Sequence, residues 1–426
     1  MGLPPLDRWL MRRMGLREKS GAPSPKQVRA WQLEKLRETV AHAKAHSPFY
    51  ARLYSEVSPG DIRTMEDFAR LPAITPKDLR DAPEQLLCVS QDDIARVVTL
   101  QSSGTTGKPK RVFHTGDDLE ATVDYFDWGM RSMVEPGQTA LVLMPGDRPG
   151  GVGRLLMEAL GRNRAQAVAY GVLEDASQAV DTLLETNARC IVGPAAHVNM
   201  LARHWEKRGL PEDRIRSVLL CWDAIPNAVV RNAKQAFGCR VFRHWGMIET
   251  GLGGAVECAP GSGLHLRETD VHVEIVDPKT GEVLPDGRFG EIVVSTALRR
   301  GMPLLRYRTG DRGRILPGAC ACGSPLRRLD PHIKRLEQHS PVTLLELGEA
   351  LYSLPEVHDF HATLKGAALT VRICGQGSRL EEKARAAINN ILAVRHATDT
   401  NSLRIEITAE ESHAPAISGL GKRTMG

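Results

Sequence analysis

The sequence predicts an α/β protein in which a large N-terminal domain has mostly parallel sheets flanked by helices, with a β-rich subdomain and a small C-terminal α+β lid domain. Three observations lead to this prediction. Between residues 95 and 245, short apolar runs alternate with longer helical segments, an order typical of parallel strands covered by helices. From 263 to 316 the apolar runs are separated by hairpin turns such as Pro285-Asp286-Gly287. Residues 340–426 mix helix and strand again.

The individual elements have local signals. Ser24 as N-cap and Pro25 at the first helical position predict a helix over 25–46. Strands of the alternating region are predicted at 139–144, 166–170, 189–193, 216–221 and 240–245. Helices are predicted there at 117–133, 151–161, 175–186, 195–208 and 226–237. The C-terminal pattern predicts helices at 343–353 and 379–394, two strands around Lys365-Gly366 and a strand at 403–408.

A chain of 426 residues exceeds what one compact core usually holds, so we expect two domains. The predicted division is 1–334 and 335–426, with the β-rich subdomain at about 256–330.

Composition argues against several classes of protein. The net charge is only +5, and no long basic run indicates a nucleic-acid surface. No apolar stretch approaches the roughly 20 residues of a membrane span. The N-terminal run around Trp9-Leu10-Met11 predicts an amphipathic surface helix rather than a signal peptide, with a peripheral membrane contact as the alternative. Eight cysteines without a secretory signal favour buried thiols and a cytoplasmic location.

A polar loop at 102–110 is the most informative segment. It follows a strand-like run and consists of Ser102, Ser103, Gly104, Thr105, Thr106, Gly107, Lys108, Pro109 and Lys110. Glycines let backbone N–H groups turn toward an anion, while hydroxyls and lysines add donors and charge. The spacing differs from a Walker A loop. We therefore predict a polyphosphate-binding loop, with a purely polar hairpin loop as the alternative.

Two later segments accompany this loop in a familiar order. With the loop, the segments 244–250 (His-Trp-Gly-Met-Ile-Glu-Thr) and 305–311 (Leu-Arg-Tyr-Arg-Thr-Gly-Asp) resemble the motifs of the adenylate-forming superfamily of acyl-CoA synthetases, luciferases and peptide-synthetase adenylation domains. The stretch 257–265 and the Cys-x-Cys-Gly of 320–323 resemble the phenylacetate–CoA ligase-like branch. The resemblance is strong from about 90 to 330 and weaker outside.

The resemblance implies a role for each motif. Residues 102–107 would hold the phosphates of ATP, with Lys108 adding charge. Glu249 would bind Mg²⁺, with a solvated loop acid as the alternative. Trp245 and Gly246 would contact adenine, although Trp245 also suits a core aromatic. Asp311 would bind ribose, or simply belong to a turn.

Further roles rest on weaker matches. Lys422, in a Gly-Lys element at 419–423, is the candidate catalytic lysine, with a basic tail as the alternative. Arg335 is the best match for a hinge arginine that contacts the nucleotide. Ile248 departs from the usual Ser or Thr, and Thr250 is a candidate substitute for that hydroxyl. Candidate acyl-pocket residues are Trp222, Asp223, Ala224 and His197.

Four further side chains have the chemistry of a zinc site. Cys258 and His265 lie seven residues apart, and Cys320 and Cys322 form a Cys-x-Cys pair. Three thiolates and one imidazole suit a closed, tetrahedral structural Zn²⁺ site. Free loop thiols are the alternative.

The resulting hypothesis is an ATP- and Mg²⁺-dependent enzyme that activates a small carboxylic acid, aromatic or otherwise, and passes it to CoA. Residues 331–340 lack the Asp-Asp hinge and the following loop that such ligases use in the CoA step. Two alternatives follow, namely transfer to a carrier protein, amine or cofactor, and a non-catalytic nucleotide-binding scaffold. The resemblance also implies a homodimer.

Overall fold

The computed structural model describes residues 3–17, 21–100, 108–336, 341–400 and 402–417, together with Gly419, Arg423 and Met425. The chain forms two compact units, each built from two stretches of sequence. The first unit comprises Met1–Ser132 and His244–Leu336, and the second comprises Met133–Arg243 and Glu337–Gly426. The predicted division at 334/335 stays a prediction.

The α-helices within the described residues are α1 (Pro5–Arg13), α2 (Pro25–His46), α3 (Pro48–Leu53), α4 (Met65–Ala69), α5 (Asp78–Asp81), α6 (Gly116–Met130), α7 (Val152–Arg162), α8 (Ala176–Glu185), α9 (Ala195–Lys207), α10 (Asn227–Phe237), α11 (Leu344–Leu351), α12 (Leu380–Asn389) and α13 (Leu392–Asp399). The strands are β1 (Ile94–Leu100), β2 (Lys110–Thr115), β3 (Thr139–Val142), β4 (Gln166–Ala169), β5 (Cys190–Pro194), β6 (Ser217–Cys221), β7 (Arg240–Trp245), β8 (Ala255–Glu257), β9 (Leu264–Leu266), β10 (Val271–Val276), β11 (Gly290–Thr296), β12 (Tyr307–Gly313), β13 (Ile315–Leu316), β14 (Arg328–Leu329), β15 (Lys334–Arg335), β16 (Val357–Lys365), β17 (Ala368–Gly375) and β18 (Arg404–Glu410).

The first unit is rich in antiparallel sheet. Strands β1 and β2 form a hairpin, and β10, β11, β12 and β15 form a four-stranded antiparallel sheet. Strands β13, β14, β9 and β8 continue in antiparallel order to the last two residues of β7. Helix α2 begins at Ser24, whose hydroxyl accepts a hydrogen bond from the Gln27 backbone, as the sequence predicts. One apolar core unites these elements.

The second unit contains the predicted parallel sheet. Its strands lie in the order β7, β6, β5, β3, β4, all parallel, with α7 to α10 in the connections between them. A separate three-stranded sheet is formed by β16, β17 and β18. The two parts share one core, and Asn199 of α9 donates a hydrogen bond to the backbone oxygen of His358 at 2.8 Å. The predicted α/β fold class is confirmed.

One helix differs from the sequence-based prediction. The single helix expected over 379–394 is interrupted, because Ile391 has extended dihedral angles between α12 and α13. Two consecutive asparagines, both poor helix formers, precede this break. Helix α1 forms where the amphipathic surface helix is predicted, with Trp9, Leu10 and Met11 completely buried within the first unit and Arg8 and Arg12 exposed. Trp9 also donates a hydrogen bond to Asp124 of α6 at 2.8 Å.

Within the described residues, no helix is long and apolar enough to cross a bilayer.

Candidate functional site

The paired strands β1 and β2 flank the predicted phosphate loop in the sequence. Leu100 pairs with Lys110 at the last rung of this hairpin. Residues 102–107 lie outside the described part of the chain, so their predicted role stays a prediction. Lys108 is exposed just before β2 begins. The strands fix where the loop starts and ends.

Lys110 contacts the predicted magnesium ligand. Its ammonium forms a short ion pair with Oε1 of Glu249, whose side chain is only 4% exposed. The hydroxyl of Tyr307 donates to the same carboxylate oxygen at 3.1 Å. We call Glu249, Lys110 and Tyr307 the Glu249 cluster.

Electrostatics keeps Glu249 of this cluster charged. Burial alone would raise the pKa of Glu249, but the Lys110 ammonium and the hydrogen bonds outweigh burial and lower this pKa below its ordinary value. Burial and the adjacent carboxylate both raise the pKa of Tyr307, so its hydroxyl stays protonated and remains a donor. The alternative of a solvated loop acid does not describe Glu249, since it is buried and paired.

A second ion pair lies on the same strand as Tyr307. Asp311 is on β12, where residues 307, 309 and 311 are all buried and therefore share one face. The carboxylate of Asp311 accepts a hydrogen bond from Arg335 at 2.6 Å, and Arg335 also donates to the backbone oxygen of Thr309. The predicted ribose contact and the predicted hinge arginine are thus direct neighbours.

The turn around Glu249 explains two further sequence features. Trp245 is 8% exposed and packs into the apolar core of the first unit, as the core-aromatic alternative expects. A Cβ at Gly246 would lie 2.6 Å from the backbone oxygen of Leu252, so this position has no room for a side chain. The hydroxyl of Thr250 is bonded to the backbone of Met247, accepting at 3.1 Å and donating at 2.9 Å. The predicted role of Thr250 as a substitute for the hydroxyl that Ile248 lacks stays a prediction.

The predicted acyl-pocket residues lie together in the second unit. His197, Trp222 and Asp223 line one small cleft, and Ala224 is exposed beside them. His197 is buried and its Nδ1 has no hydrogen-bond partner among the described residues. Burial lowers the pKa of His197 to about 4, so its imidazole is neutral at physiological pH. Trp222 has a left-handed backbone, with φ of 79°.

Arg423 completes the lining of this cleft. Its guanidinium binds Asp359 and approaches Asp223. The predicted catalytic Lys422 lies outside the described residues.

The four predicted zinc ligands converge in the first unit. One donor atom from each of Cys258, His265, Cys320 and Cys322 lies within 4.8 Å of all the others. The sulfurs of Cys258 and Cys320 are 3.8 Å apart, and Cys322 Sγ is 3.7 Å from His265 Nε2. In a tetrahedral site with Zn–S distances near 2.3 Å, ligand atoms lie about 3.5–3.8 Å apart.

Comparison with known proteins agrees with these features. The sequence pattern of the AMP-binding enzyme family matches residues 21–299. The chain belongs to this family. A phenylacetate–coenzyme A ligase of Thermus thermophilus is 32% identical over 323 residues, covering 73% of this chain and 71% of the relative. The Pseudomonas putida enzyme of the same name is 28% identical over 373 residues, with 81% of each chain covered.

Solved structures show the same fold. A 2-hydroxyisobutyryl-CoA ligase in its postadenylation state superposes with a TM-score of 0.75 at 18% identity, covering 91% of this chain and 88% of that one. The predicted membership of the adenylate-forming superfamily and its phenylacetate–CoA ligase-like branch is confirmed. The protein is an adenylate-forming ligase, of the class that joins a carboxylic acid to CoA through an acyl-adenylate.

Sequence reasoning assigned Lys110 only to the polyphosphate loop as a whole and gave no role to Tyr307 or Arg423. Tyr307 lies within a quoted motif, and the alternation of buried and less buried residues along β12 is the signal that selects it. Arg423 pairs with an acid 64 residues away, for which no local signal exists.

Proposed function

We propose that this ligase activates a small aromatic carboxylic acid with ATP and transfers the acyl group to CoA. The Glu249 cluster carries the proposal. It combines an ionised buried carboxylate, an ammonium and a hydroxyl next to the ends of the predicted phosphate loop. The aromatic substrate is supported by the relatives, which are named phenylacetate–CoA ligases.

In the first half-reaction a carboxylate oxygen attacks the α-phosphorus of ATP, and the bond to pyrophosphate breaks. Both reactants are anions, so the site must supply positive charge where negative charge accumulates. We assign this role to Lys110, Lys108 and the donors of 102–107. Lys422 is proposed as the lysine that contacts the reacting carboxylate and α-phosphate. In the second half-reaction the CoA thiolate attacks the acyl carbonyl and AMP leaves.

The nucleoside end of ATP is proposed to lie along β12. Asp311 would accept hydrogen bonds from the ribose hydroxyls, held in place by Arg335. Tyr307 and Asp311 are four residues apart on β12, and a bulge interrupts the pairing of β12 with β11 between them. The same strand therefore carries the hydroxyl proposed for the phosphate side and the carboxylate proposed for the ribose side. The adenine contact predicted for Trp245 and Gly246 is kept as part of this proposal, with Trp245 packed into the core and Gly246 at a close approach of the Leu252 backbone.

The residues present fit one magnesium ion. Mg²⁺ prefers a few carboxylate oxygens completed by phosphate oxygens and water, and Glu249 supplies one ionised carboxylate. Its Oε1 is engaged by Lys110 and Tyr307, so the ion and the Lys110 ammonium would share this carboxylate. Bound there, Mg²⁺ would neutralise phosphate charge.

The acyl group is proposed to bind near His197, Trp222, Asp223 and Ala224. Trp222 is 39% exposed and offers a flat apolar face. The unpartnered Nδ1 of His197 offers a polar contact on the neighbouring wall of the cleft. The cleft is small, so entry of an aromatic ring would require these side chains to move.

ATP–pyrophosphate exchange tests the proposal. Exchange would be measured over a panel of aryl and aliphatic acids, followed by product analysis with and without CoA. Exchange that depends on an aryl acid, together with an acyl-CoA product, is the expected result. Exchange without a thioester would contradict the CoA step and favour another acceptor. No exchange with any acid, despite ATP binding by titration, would favour a nucleotide-binding scaffold.

We also propose a structural Zn²⁺ bound by Cys258, His265, Cys320 and Cys322. The distances between their donor atoms support tetrahedral coordination. Four protein ligands leave no open position, so this ion would join two loops rather than take part in catalysis. Elemental analysis should find about one zinc per chain. Cys320→Ala should lose it, whereas Cys88→Ala, at a buried thiol of the same unit, should retain it. Equal zinc content in both variants would contradict the assignment.

A cytoplasmic location and a homodimer remain further proposals. All eight cysteines lie in the described part of the chain and none forms a disulfide, which supports a reducing compartment.

A further inference from the structure

Arg423 forms a buried charge cluster with two acids of the second unit. Its guanidinium donates two hydrogen bonds to the carboxylate of Asp359, at 2.7 and 2.8 Å, and a third to the backbone oxygen of Phe360 at 2.7 Å. Its backbone N–H donates to Asp223 Oδ1 at 3.3 Å, and its Nε is 3.9 Å from Asp223 Oδ2. We call Arg423, Asp359 and Asp223 the Arg423 cluster.

The cluster depends on all of its charges. The side chain of Asp359 is completely buried and that of Arg423 is 12% exposed. A buried charge without its partner is costly, and the two-pronged contact with Asp359 requires the planar fork of arginine. Asp359 also accepts hydrogen bonds from the Tyr352 hydroxyl and the Ala416 backbone N–H, both at 2.9 Å. The carboxylate therefore holds the C-terminal segment at Ala416 and again at Arg423.

The other acid of the cluster lies beside the proposed acyl pocket. Asp223 follows Trp222, whose left-handed backbone is uncommon for a bulky residue and is characteristic of functional sites when the surroundings enforce it. Trp222, Asp223, His197 and Arg423 line the same cleft. Arg423 thus connects the C-terminal segment to the loop that bears these side chains.

We propose that Arg423 is a positioning residue for adenylate formation. It links its own position in the chain to Asp359 and to the loop of Trp222 and Asp223, and the predicted catalytic Lys422 is its neighbour in sequence. This inference rests on the proposed function. It goes further by assigning a role to a residue that touches neither phosphate nor metal, and by making Asp223 an attachment point of the segment.

Arg423→Met, Arg423→Lys and Asp223→Asn test the proposal in the full-length enzyme. Pyrophosphate exchange reports the first half-reaction, and thioester formation from supplied acyl-adenylate and CoA reports the second. We expect Arg423→Met to lower kcat for exchange by about 100-fold, since misplacement by about 1 Å has effects of this size. The KM for ATP and the second half-reaction should change little. Arg423→Lys should recover part of the loss, because it keeps the charge but not the fork.

A double variant shows whether Arg423 acts through Asp223. Arg423→Met combined with Asp223→Asn should be no slower than the slower single variant, because each removes the ion pair between the Arg423 guanidinium and Asp223 and leaves the backbone hydrogen bond of Arg423 an acceptor. Arg404→Met, at an exposed arginine of the same unit, is the matched control and should retain the wild-type rate. Equal losses in both half-reactions, or additive effects in the double variant, would overturn the proposal.

Hydrogen exchange provides a readout that is independent of activity. The Ala416 amide should exchange at least about 10-fold faster in Arg423→Met than in wild type, because its acceptor Asp359 loses the partner that holds it. Unchanged hydrogen exchange at Ala416 would overturn the positioning role, even if Arg423→Met slowed ATP–pyrophosphate exchange. If the wild-type enzyme forms no adenylate, the proposed function is wrong. Faster hydrogen exchange at Ala416 in Arg423→Met would still support the attachment of this segment through Arg423. Should Arg423→Met not fold, the same comparisons apply to Arg423→Lys.

Discussion

The Glu249 cluster of the first unit and the Arg423 cluster of the second unit use similar charges in opposite ways. In the Glu249 cluster the carboxylate is buried but the side chain of Lys110 is 22% exposed. Arg335, the partner of Asp311 in the same unit, is 50% exposed. In the Arg423 cluster both the acid and the base are largely buried.

This difference in exposure distinguishes ion pairs that suit ligand binding from ion pairs that attach one segment of the chain to another. An ion pair with one exposed member can exchange its partner for a ligand, because the exposed group is still hydrated and little is lost when it moves. A pair with both members buried is stable only while the two charges stay together, because separating them leaves an uncompensated buried charge. The charges of the first unit therefore suit the proposed nucleotide contacts, whereas those of the second unit hold the chain in place.

The largest effect is expected at Glu249, the buried acid of the ion pair with Lys110. Glu249→Gln should lower kcat for adenylate formation by about 100-fold or more, because it removes the only negative charge of the Glu249 cluster. ATP–pyrophosphate exchange is the measurement, and Glu158→Gln, an exposed glutamate outside the site, is the control. Lys422→Ala should show a loss of similar size. Near-normal rates in both variants would make the site assignment wrong.

An intermediate effect is expected at the exposed base of the same pair. Lys110→Met should raise the KM for ATP by about 10-fold, since it removes one charge-assisted contact. Lys110 also lowers the pKa of Glu249, so its removal raises that pKa. The acid limb of the rate profile should then move to higher pH, because the carboxylate becomes protonated sooner as pH falls. Lys77→Met provides an exposed control. An unshifted acid limb would contradict the coupling.

A smaller effect is expected at the ion pair between Asp311 and Arg335. Arg335→Ala should raise the KM for ATP by only about three-fold, because surface pairs with one exposed member contribute little. Steady-state kinetics at two salt concentrations measures this effect. A loss of activity as large as that of Arg423→Met would contradict the distinction between ion pairs with one exposed member and ion pairs with both members buried.

The most distributed effect is the pH dependence of stability, which lies outside both ion pairs. Burial lowers the pKa of His197 and His358 to about 4, whereas imidazoles of the unfolded chain titrate near 6.5. Between these values the unfolded state binds more protons, so the free energy of unfolding is retained above pH 6.5 and falls toward pH 4. We expect a loss of about 1–3 kcal/mol for each histidine, measured by urea unfolding at pH 7.5, 6 and 5. His358→Gln should flatten this dependence; an unchanged slope would exclude His358 as a contributor.

Local patterns predicted most of the fold and part of the site. The strands and helices between 139 and 237 are confirmed to within a few residues, because their periodicity and turn residues lie in the sequence itself. The Cys and His ligand set could be proposed for the same reason, since side-chain chemistry and spacing are local. The interruption of the helix at Ile391 is not predicted from the sequence, although two asparagines directly precede it.

Long-range contacts were beyond such patterns. Lys110 and Glu249 are 139 residues apart, and Arg423 and Asp223 are 200 apart. Which lysine of the loop faces the acid depends on the pairing of Leu100 with Lys110, which no single segment encodes. Asp223 could be placed near the cleft from sequence, but its contact with the backbone and guanidinium of Arg423 could not.

The two-segment construction of each compact unit limits how this gene can be cut and recombined. The core of the second unit mixes residues 141–241 with residues 342–425, so a fragment ending near 335 would leave the apolar faces of α9 and α10 uncovered. Exchanging the C-terminal quarter with that of another ligase would replace half of a shared interior. Recombinants of such enzymes should therefore tolerate junctions at surface turns within a unit better than junctions at the point where the chain passes from one unit to the other.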